Sequence, residues 1–301
     1  MSNTGQDDSA KGGLPAALGA YVLWGFLPLY LMLVREVPPF EFVGWRIIWT
    51  VPVCLLLIAI RQQWPQLRQA VSDFRTLRWL VLSAALIGSN WAIYVWAIGA
   101  GEVYAASMGY YLNPLLNVLL GTLFLGEKLS RKQWVAVVIA SAAIISLLLG
   151  ALSTLWISLS LAGTFGFYGL VRKQTPVGAI PGLTIESILL LLPSIAIAWW
   201  YAEGPAGSSF GADTWLTLLI IVGGVVTATP LLLFAIAARK LPYSTLGFIQ
   251  FLAPTIIFIL GLTAFGEKLE MAEFGAFVLI WIAIAIFVSD LFGKRTAPSA
   301  A

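Results

Sequence analysis

The chain contains no histidine, a single cysteine (Cys54) and few charges: 17 basic and 14 acidic residues, 10% of 301. Each scarcity excludes something. Without histidine there is no imidazole acid or base, no histidine-containing triad and no His-ligated metal or haem. One cysteine makes neither an internal disulfide nor a thiolate cluster. Soluble domains carry roughly 25% charged residues, and less than half of that cannot cover a water-soluble particle of this size. Scarce charge with abundant apolar residues is also the reverse of a disordered chain. No glycine-rich nucleotide-binding loop is present, which disfavours an ATP-driven pump. What the chain has instead is hydrophobicity: 60% of its residues, with a mean hydropathy of +0.92. That is the composition of an integral membrane protein.

A membrane-crossing helix needs about 20 mostly apolar residues. Ten runs qualify: Leu14–Val34, Phe40–Ile60, Trp79–Ile98, Tyr104–Phe124, Gln133–Leu149, Thr154–Val171, Leu183–Trp200, Trp215–Ala237, Ser244–Phe265 and Phe274–Ser289. They are continuous, not alternating, which argues against a β-barrel. The first run is too long for the apolar core of a signal peptide and reads as a retained span. Cytoplasmic loops carry excess Lys and Arg. With the N-terminus inside, fourteen basic residues fall on inner segments and only Arg35 and Lys268 on outer loops, so both termini are expected in the cytoplasm. Arg172, Lys173, Arg239 and Lys240 count among these inner charges, and the stretch 61–78 reads as a basic interfacial loop facing anionic lipid. The pI near 9.0 thus reflects topology, with no nucleic-acid partner expected.

The chain also repeats itself. Gly126-Glu127-Lys128-Leu129 recurs as Gly266-Glu267-Lys268-Leu269, and at the same offset Pro114 falls on Pro254 and Gly121 on Gly261. Further upstream, Gly109 aligns with Gly247, and Tyr21 and Trp24 align with Phe165 and Tyr168. Each half holds five spans, an odd number, so the halves must lie in opposite orientations. Inverted repeats of this kind are a hallmark of secondary transporters, because two inverted halves can exchange conformations around a fixed midplane site.

The stretches IGSNWAIYVWAIGAG (87–101), SMGYYLNPLLNVLLGTLFLGEKLSRKQW (107–134), FGFYGLVRK (165–173) and STLGFIQFLAPT (244–255) resemble the drug/metabolite transporter superfamily, its EamA family and the RarD-type permeases within it. The likeness runs from about Leu14 to Asp290. It implies an all-α protein of ten transmembrane helices in two EamA repeats, in a bacterial inner (plasma) membrane. On that reading a cytoplasmic tail (1–13) precedes repeats at 14–150 and 151–290, and a second tail spans 291–301. The implied activity is transport of small metabolites or drugs, amino-acid-like or amphenicol-like, with outward movement as the expected direction. The RarD branch is associated by name with chloramphenicol.

Polar groups inside a span are costly and read first as functional. On the fourth span Tyr110, Pro114 and Asn117 share a face with Asn113 beside them, and on the ninth Gln250 and Pro254 take the equivalent face. Tyr110 and Gln250 are therefore expected to aim at one substrate cavity, with Pro114 and Pro254 as helix breaks that free backbone carbonyls. Helix–helix packing is the competing reading for all of these residues. Asn90 and Tyr94 on the third span, and the repeat mates Trp24 and Tyr168, are further cavity candidates, since amphipathic aromatics suit a partly apolar ligand. Two charges lie within spans, Arg46 and Glu186. Glu186 is the candidate proton carrier, the competing reading being that both charges lie shallow enough to reach headgroups or cap neighbouring helices. A direct pair with Arg46 is disfavoured because the two sit towards opposite sides. Glu127 and Glu267 read as helix caps or loop structure.

The expected partners are thus a small-molecule substrate and the lipid bilayer, with protons as candidate coupling ion and the chain acting as monomer or homodimer. No cofactor, metal or enzyme activity is expected. The competing classes are an intramembrane lipid-modifying enzyme, for which no nucleophile–base set is present, and a non-transporting sensor or structural component.

Overall fold

The computed structural model describes residues 12–296 apart from Glu267 and Leu269; the sequence expectation for Glu267, most of the first tail and the end of the second lie outside the described residues. No strand occurs among the described residues, which fold almost wholly into helices. In chain order these are α1 (Gly13–Leu33), α2 (Pro39–Ile60), α3 (Trp64–Ser72), α4 (Phe74–Gly99), α5 (Val103–Phe124), α6 (Arg131–Leu148), α7 (Leu155–Gln174), α8 (Ala179–Leu189), α9 (Leu191–Ala202), α10 (Thr214–Lys240), α11 (Tyr243–Gln250), α12 (Leu252–Thr263) and α13 (Met271–Thr296).

Eight helical stretches are long and apolar enough to cross a membrane, α11 and α12 counting as one, and nine if the bent pair α8–α9 is also one span. Besides the short α3, the helix outside that set is α5, whose 22 residues suffice in length but include Asn113, Asn117, Pro114, Ser107 and paired tyrosines. That helix is the one that carries the fourth-span candidates. Large apolar side chains cover the outside of the bundle: Leu56, Leu123, Leu192 and Trp200 are 61, 69, 78 and 79% exposed. A surface of that kind is stable only against hydrocarbon, and the chain is a multi-pass membrane protein.

Local chemistry explains where helices start and bend. The 61–78 stretch is not a loop: Pro65, at the first turn where its missing N–H costs nothing, opens the short helix α3. Asp73 then caps α4, its carboxylate accepting from the Arg75 and Thr76 amides at 3.1 and 3.2 Å, so α4 starts five residues before the apolar run. The seventh span bends by 46° between α8 and α9. The ninth breaks at Phe251. Both breaks fall about three residues ahead of a proline, Pro193 and Pro254, whose rings clash with the preceding turn and remove a hydrogen bond. Pro114 behaves differently from its mate. Helix α5 runs unbroken through it, with Gly247 of α11 pressed so close that an added Cβ would lie 2.6 Å from the Pro114 carbonyl.

Helices α7 and α10 are the most enclosed spans. Helix α1 packs on α10 and α12; α7 packs on α4 and α5; α5 packs on α11, and α6 on α13. At the centre Tyr21, Trp24, Phe165, Tyr168 and Phe234 form a continuous aromatic cluster, with Tyr168 and Phe234 stacked at 6.0 Å.

Candidate functional site

Two polar groups sit in the bundle, towards opposite ends of α10, and a small gap lies between them. The first gathers around Arg46, which lies seven residues into α2, about 10 Å from its start at 1.5 Å per residue. Its guanidinium stands over the Trp91 ring at 4.6 Å, a cation–π contact. The hydroxyls of Tyr110, Tyr94 and Tyr30 are close enough to interact with it electrostatically. Tyr94 and Tyr110 meet edge to face at 5.6 Å. The Arg46 Nε is buried without a hydrogen-bond partner.

The second group centres on Glu186 of α8, 1% exposed. Its carboxylate accepts from the Ser83 hydroxyl and, at 3.4 Å, from the Tyr168 hydroxyl. Its Oε1 lies 3.5 Å from the Nε of Arg172, itself only 1% exposed. Arg172 is therefore no loop charge, as its place at the end of an apolar run suggests, but a buried side chain turned back into the bundle. Gly182 makes room for it: a Cβ there would fall 2.1 Å from Nη1. The neighbouring basic residues also donate to backbone carbonyls. Lys173 donates to the carbonyls of Ala238 and Leu241, where α10 ends, and Arg239 to that of Val177. Cations at a helix C-terminus answer its unpaired carbonyls.

The remaining candidates divide. Gln250 accepts from Asn117 at 2.8 Å and from Tyr21 at 3.5 Å, so it joins α11 to α5 and α1, while Tyr110 belongs to the Arg46 group; the two do not share hydrogen-bonding company. Asn90 donates to the Leu161 carbonyl and the Thr164 hydroxyl, both at 2.9 Å, and ties α4 to α7. Asn113 is fully buried with neither side-chain atom hydrogen-bonded. Trp24 and Tyr168 both enter the aromatic cluster, Tyr168 with its hydroxyl on Glu186.

Glu186 is also not alone as a buried carboxylate. Glu41, in the first turn of α2, is 0% exposed and accepts from the Ser209 amide and the Ser208 and Ser209 hydroxyls at 2.7–2.8 Å, and from the Trp45 indole at 3.2 Å. With Phe210 stacked on Trp45 at 4.2 Å, it fastens the 203–213 connection onto α2. Its place at a helix start beside proline hides it in the sequence; only the serines of a distant loop reveal its burial. Glu127 does cap a helix: it accepts from the amides of Tyr243 and Ser244 and from the Ser244 hydroxyl.

Between the two groups lies a cavity of about 10 Å³, lined by Thr50, Trp91, Glu186, Ser187 and Leu190 among others. That is at the threshold for one water molecule, so the gap between the two groups is closed. A larger cavity of about 450 Å³ opens at the α3 end, lined by Gln66, Gln69, Asp73, Thr76, Val177 and Arg239. At its rim the Thr76 hydroxyl, together with the Arg75 and Thr76 amides, holds the Asp73 carboxyl below its ordinary pKa. Among the described residues no cluster of His, Cys, Asp or Glu could hold a metal.

Comparison with known proteins places this architecture. Residues 11–149 match the EamA-like transporter family. An uncharacterized transporter of Pseudomonas aeruginosa is 43% identical over 92% of this chain and 93% of its own. The chain belongs to the EamA-like transporter family. Within it the RarD-type proteins are close: Protein RarD of Escherichia coli is 41% identical over 92% of this chain and 94% of its own. A P. aeruginosa protein named chloramphenicol-sensitive protein RarD is 30% identical over 91% and 92%. A solved crystal structure superposes on 93% of this chain and 98% of its own, with a TM-score of 0.72 at 17% identity, a likeness of fold alone.

Proposed function

We propose that this protein is a secondary carrier that moves small metabolites or drugs outward across the bacterial inner membrane by alternating access. On this reading α5 supplies the tenth span. The halves 14–150 and 151–290 form two inverted five-span repeats, with both ends cytoplasmic. The packing pattern supports it, because exchanging the halves maps several of the most extensive contacts onto one another or onto themselves. The α1–α10 contact becomes α7–α4, and α1–α12 becomes α7–α5, while α6–α13 and α5–α11 map onto themselves. The repeated glycines Gly126 and Gly266 share a left-handed backbone, φ 65° and 67°, a conformation that favours glycine.

The observation that carries the mechanism is the closed interior between two polar groups. The Glu41 latch holds one end shut, and the Arg172–Glu186 pair sits towards the other. Rocking of the halves would open the two ends in turn, never together, and expose the space between Trp91 and Glu186 to alternate sides. Amino acids, small metabolites and amphenicols are the first substrates to test, the last because of the name a relative carries.

The test is flux in proteoliposomes holding only this protein. Gradient-driven efflux of at least one of these compounds, absent from empty vesicles, is the expected result; no specific flux of any would remove the carrier reading. Sidedness is tested separately. Cysteine placed at Gln62 should react with an impermeant maleimide only from inside, and cysteine at Ala206 only from outside.

A further inference from the structure

The geometry points to a small organic anion, a carboxylate on an apolar body, as the cargo of this site. The inference rests on the carrier reading and narrows it to a substrate class. Three guanidiniums mark the route from one end of the bundle to the other: Arg239 in the lining of the 450 Å³ cavity, Arg172 within its electrostatic reach, and Arg46 beyond the closed gap. Against them stands Glu186. Asp73 at the rim is engaged as the cap of α4, and the Glu41 oxygens are taken up by Ser208, Ser209 and Trp45.

The hydrogen bonding is unbalanced in the same sense. Glu186 is supplied with hydrogen bonds by Ser83 and Tyr168. Arg172, nearly fully buried, donates to the Ala179 carbonyl at 3.3 Å and pairs with Glu186 across 3.5 Å without a hydrogen bond, so that its Nε and Nη1 have no hydrogen-bond partner. Arg46 has an unpartnered Nε and makes no ion pair among the described residues. A buried guanidinium short of acceptors is costly and is relieved by a carboxylate, whose two oxygens match its fork. In the closed state Glu186 gives Arg172 some of the compensation that the substrate's carboxylate gives the arginines when bound. Trp91, Tyr94 and Tyr110 beside Arg46 offer aromatic faces to the apolar remainder. An anion also has an outward driving force of its own, because the inside-negative potential of the cell expels it, and outward transport then needs no coupling ion.

The experiment uses the full chain in proteoliposomes preloaded with N-acetylphenylalanine, its neutral amide, or chloramphenicol, under imposed potassium diffusion potentials. The expected result is efflux of the acid alone, faster with the interior negative than positive. Arg46→Gln should slow it about tenfold, the effect of one lost charge-assisted hydrogen bond. Gly182→Ala, which keeps every charge but displaces the Arg172 guanidinium, should slow it comparably. The double change Arg172→Gln with Glu186→Gln leaves no unpaired charge to hinder folding and should abolish discrimination between acid and amide. Efflux of the amide or chloramphenicol at the rate of the acid, insensitive to potential, would overturn the anion assignment and leave the carrier reading standing. No efflux of any of the three from folded protein would overturn the anion assignment, and the carrier reading with it only if amino acids and the other small metabolites also show no flux.

Discussion

At the scale of single residues, the interior is governed by where polar atoms find partners and where glycine lets backbones meet. Asn90 illustrates the first. It looks like a cavity residue from its place in an apolar span, yet its amide is spent on Leu161 and Thr164. Asn90→Ala should therefore lower stability by about 1–2 kcal/mol, the cost of stranding a buried acceptor, with little change in substrate affinity; thermal unfolding in detergent and ligand binding separate the two. Gly247 illustrates the second. Its missing side chain lets α11 lie against the Pro114 carbonyl, and Gly247→Ala should cost about 1–3 kcal/mol as an overpacked contact. Unchanged melting of that variant would mean the two helices can separate freely there.

At the scale of elements, caps and prolines decide where the helices begin and bend. Asp73 starts α4 ahead of its apolar run through bonds to Arg75, Thr76 and the Thr76 hydroxyl. Because those bonds hold its pKa below the ordinary value, their stabilisation is present above that ordinary value, about 4. It is lost as the pH falls through the lowered one. Asp73→Asn keeps a capping oxygen but does not titrate, so its melting temperature should fall less than that of the wild type on acidification from pH 5 to pH 3. Parallel acid curves for the two proteins would remove Asp73 from that role. The helix ends were only partly legible in the sequence. Apolar length locates a span within a few residues, but α3 lies in a stretch of mixed charge, and the bend at Leu190 depends on what α9 packs against as well as on Pro193.

At the scale of the whole molecule, both ends of the bundle are fastened by contacts between distant elements. The 203–213 connection lies on α2 through Glu41 and the stacked rings of Trp45 and Phe210. Transport by opening of this contact predicts that a reducible bifunctional thiol cross-linker joining cysteines that replace Trp45 and Phe210 abolishes flux and that reduction restores it. Full activity of the cross-linked protein would show that this end stays closed throughout the cycle. Glu41→Gln should loosen the same latch, seen as increased maleimide reactivity of a cysteine at Ala206.

Membrane residence, the number and rough limits of the apolar runs, and the repeat with its GEKL tetrapeptides follow from the amino-acid sequence by itself, because hydrocarbon imposes length and hydropathy locally, residue by residue. The Arg172–Glu186 pair, the burial of Glu41, the separation of Tyr110 from Gln250 and the closed gap at Trp91 do not. Each depends on contacts between separate helices, and a charge at the end of an apolar run looks the same whether it reaches for water or folds back. Only the approach of α8 to the end of α7, with Gly182 leaving space for a guanidinium, decides that Arg172 points inward.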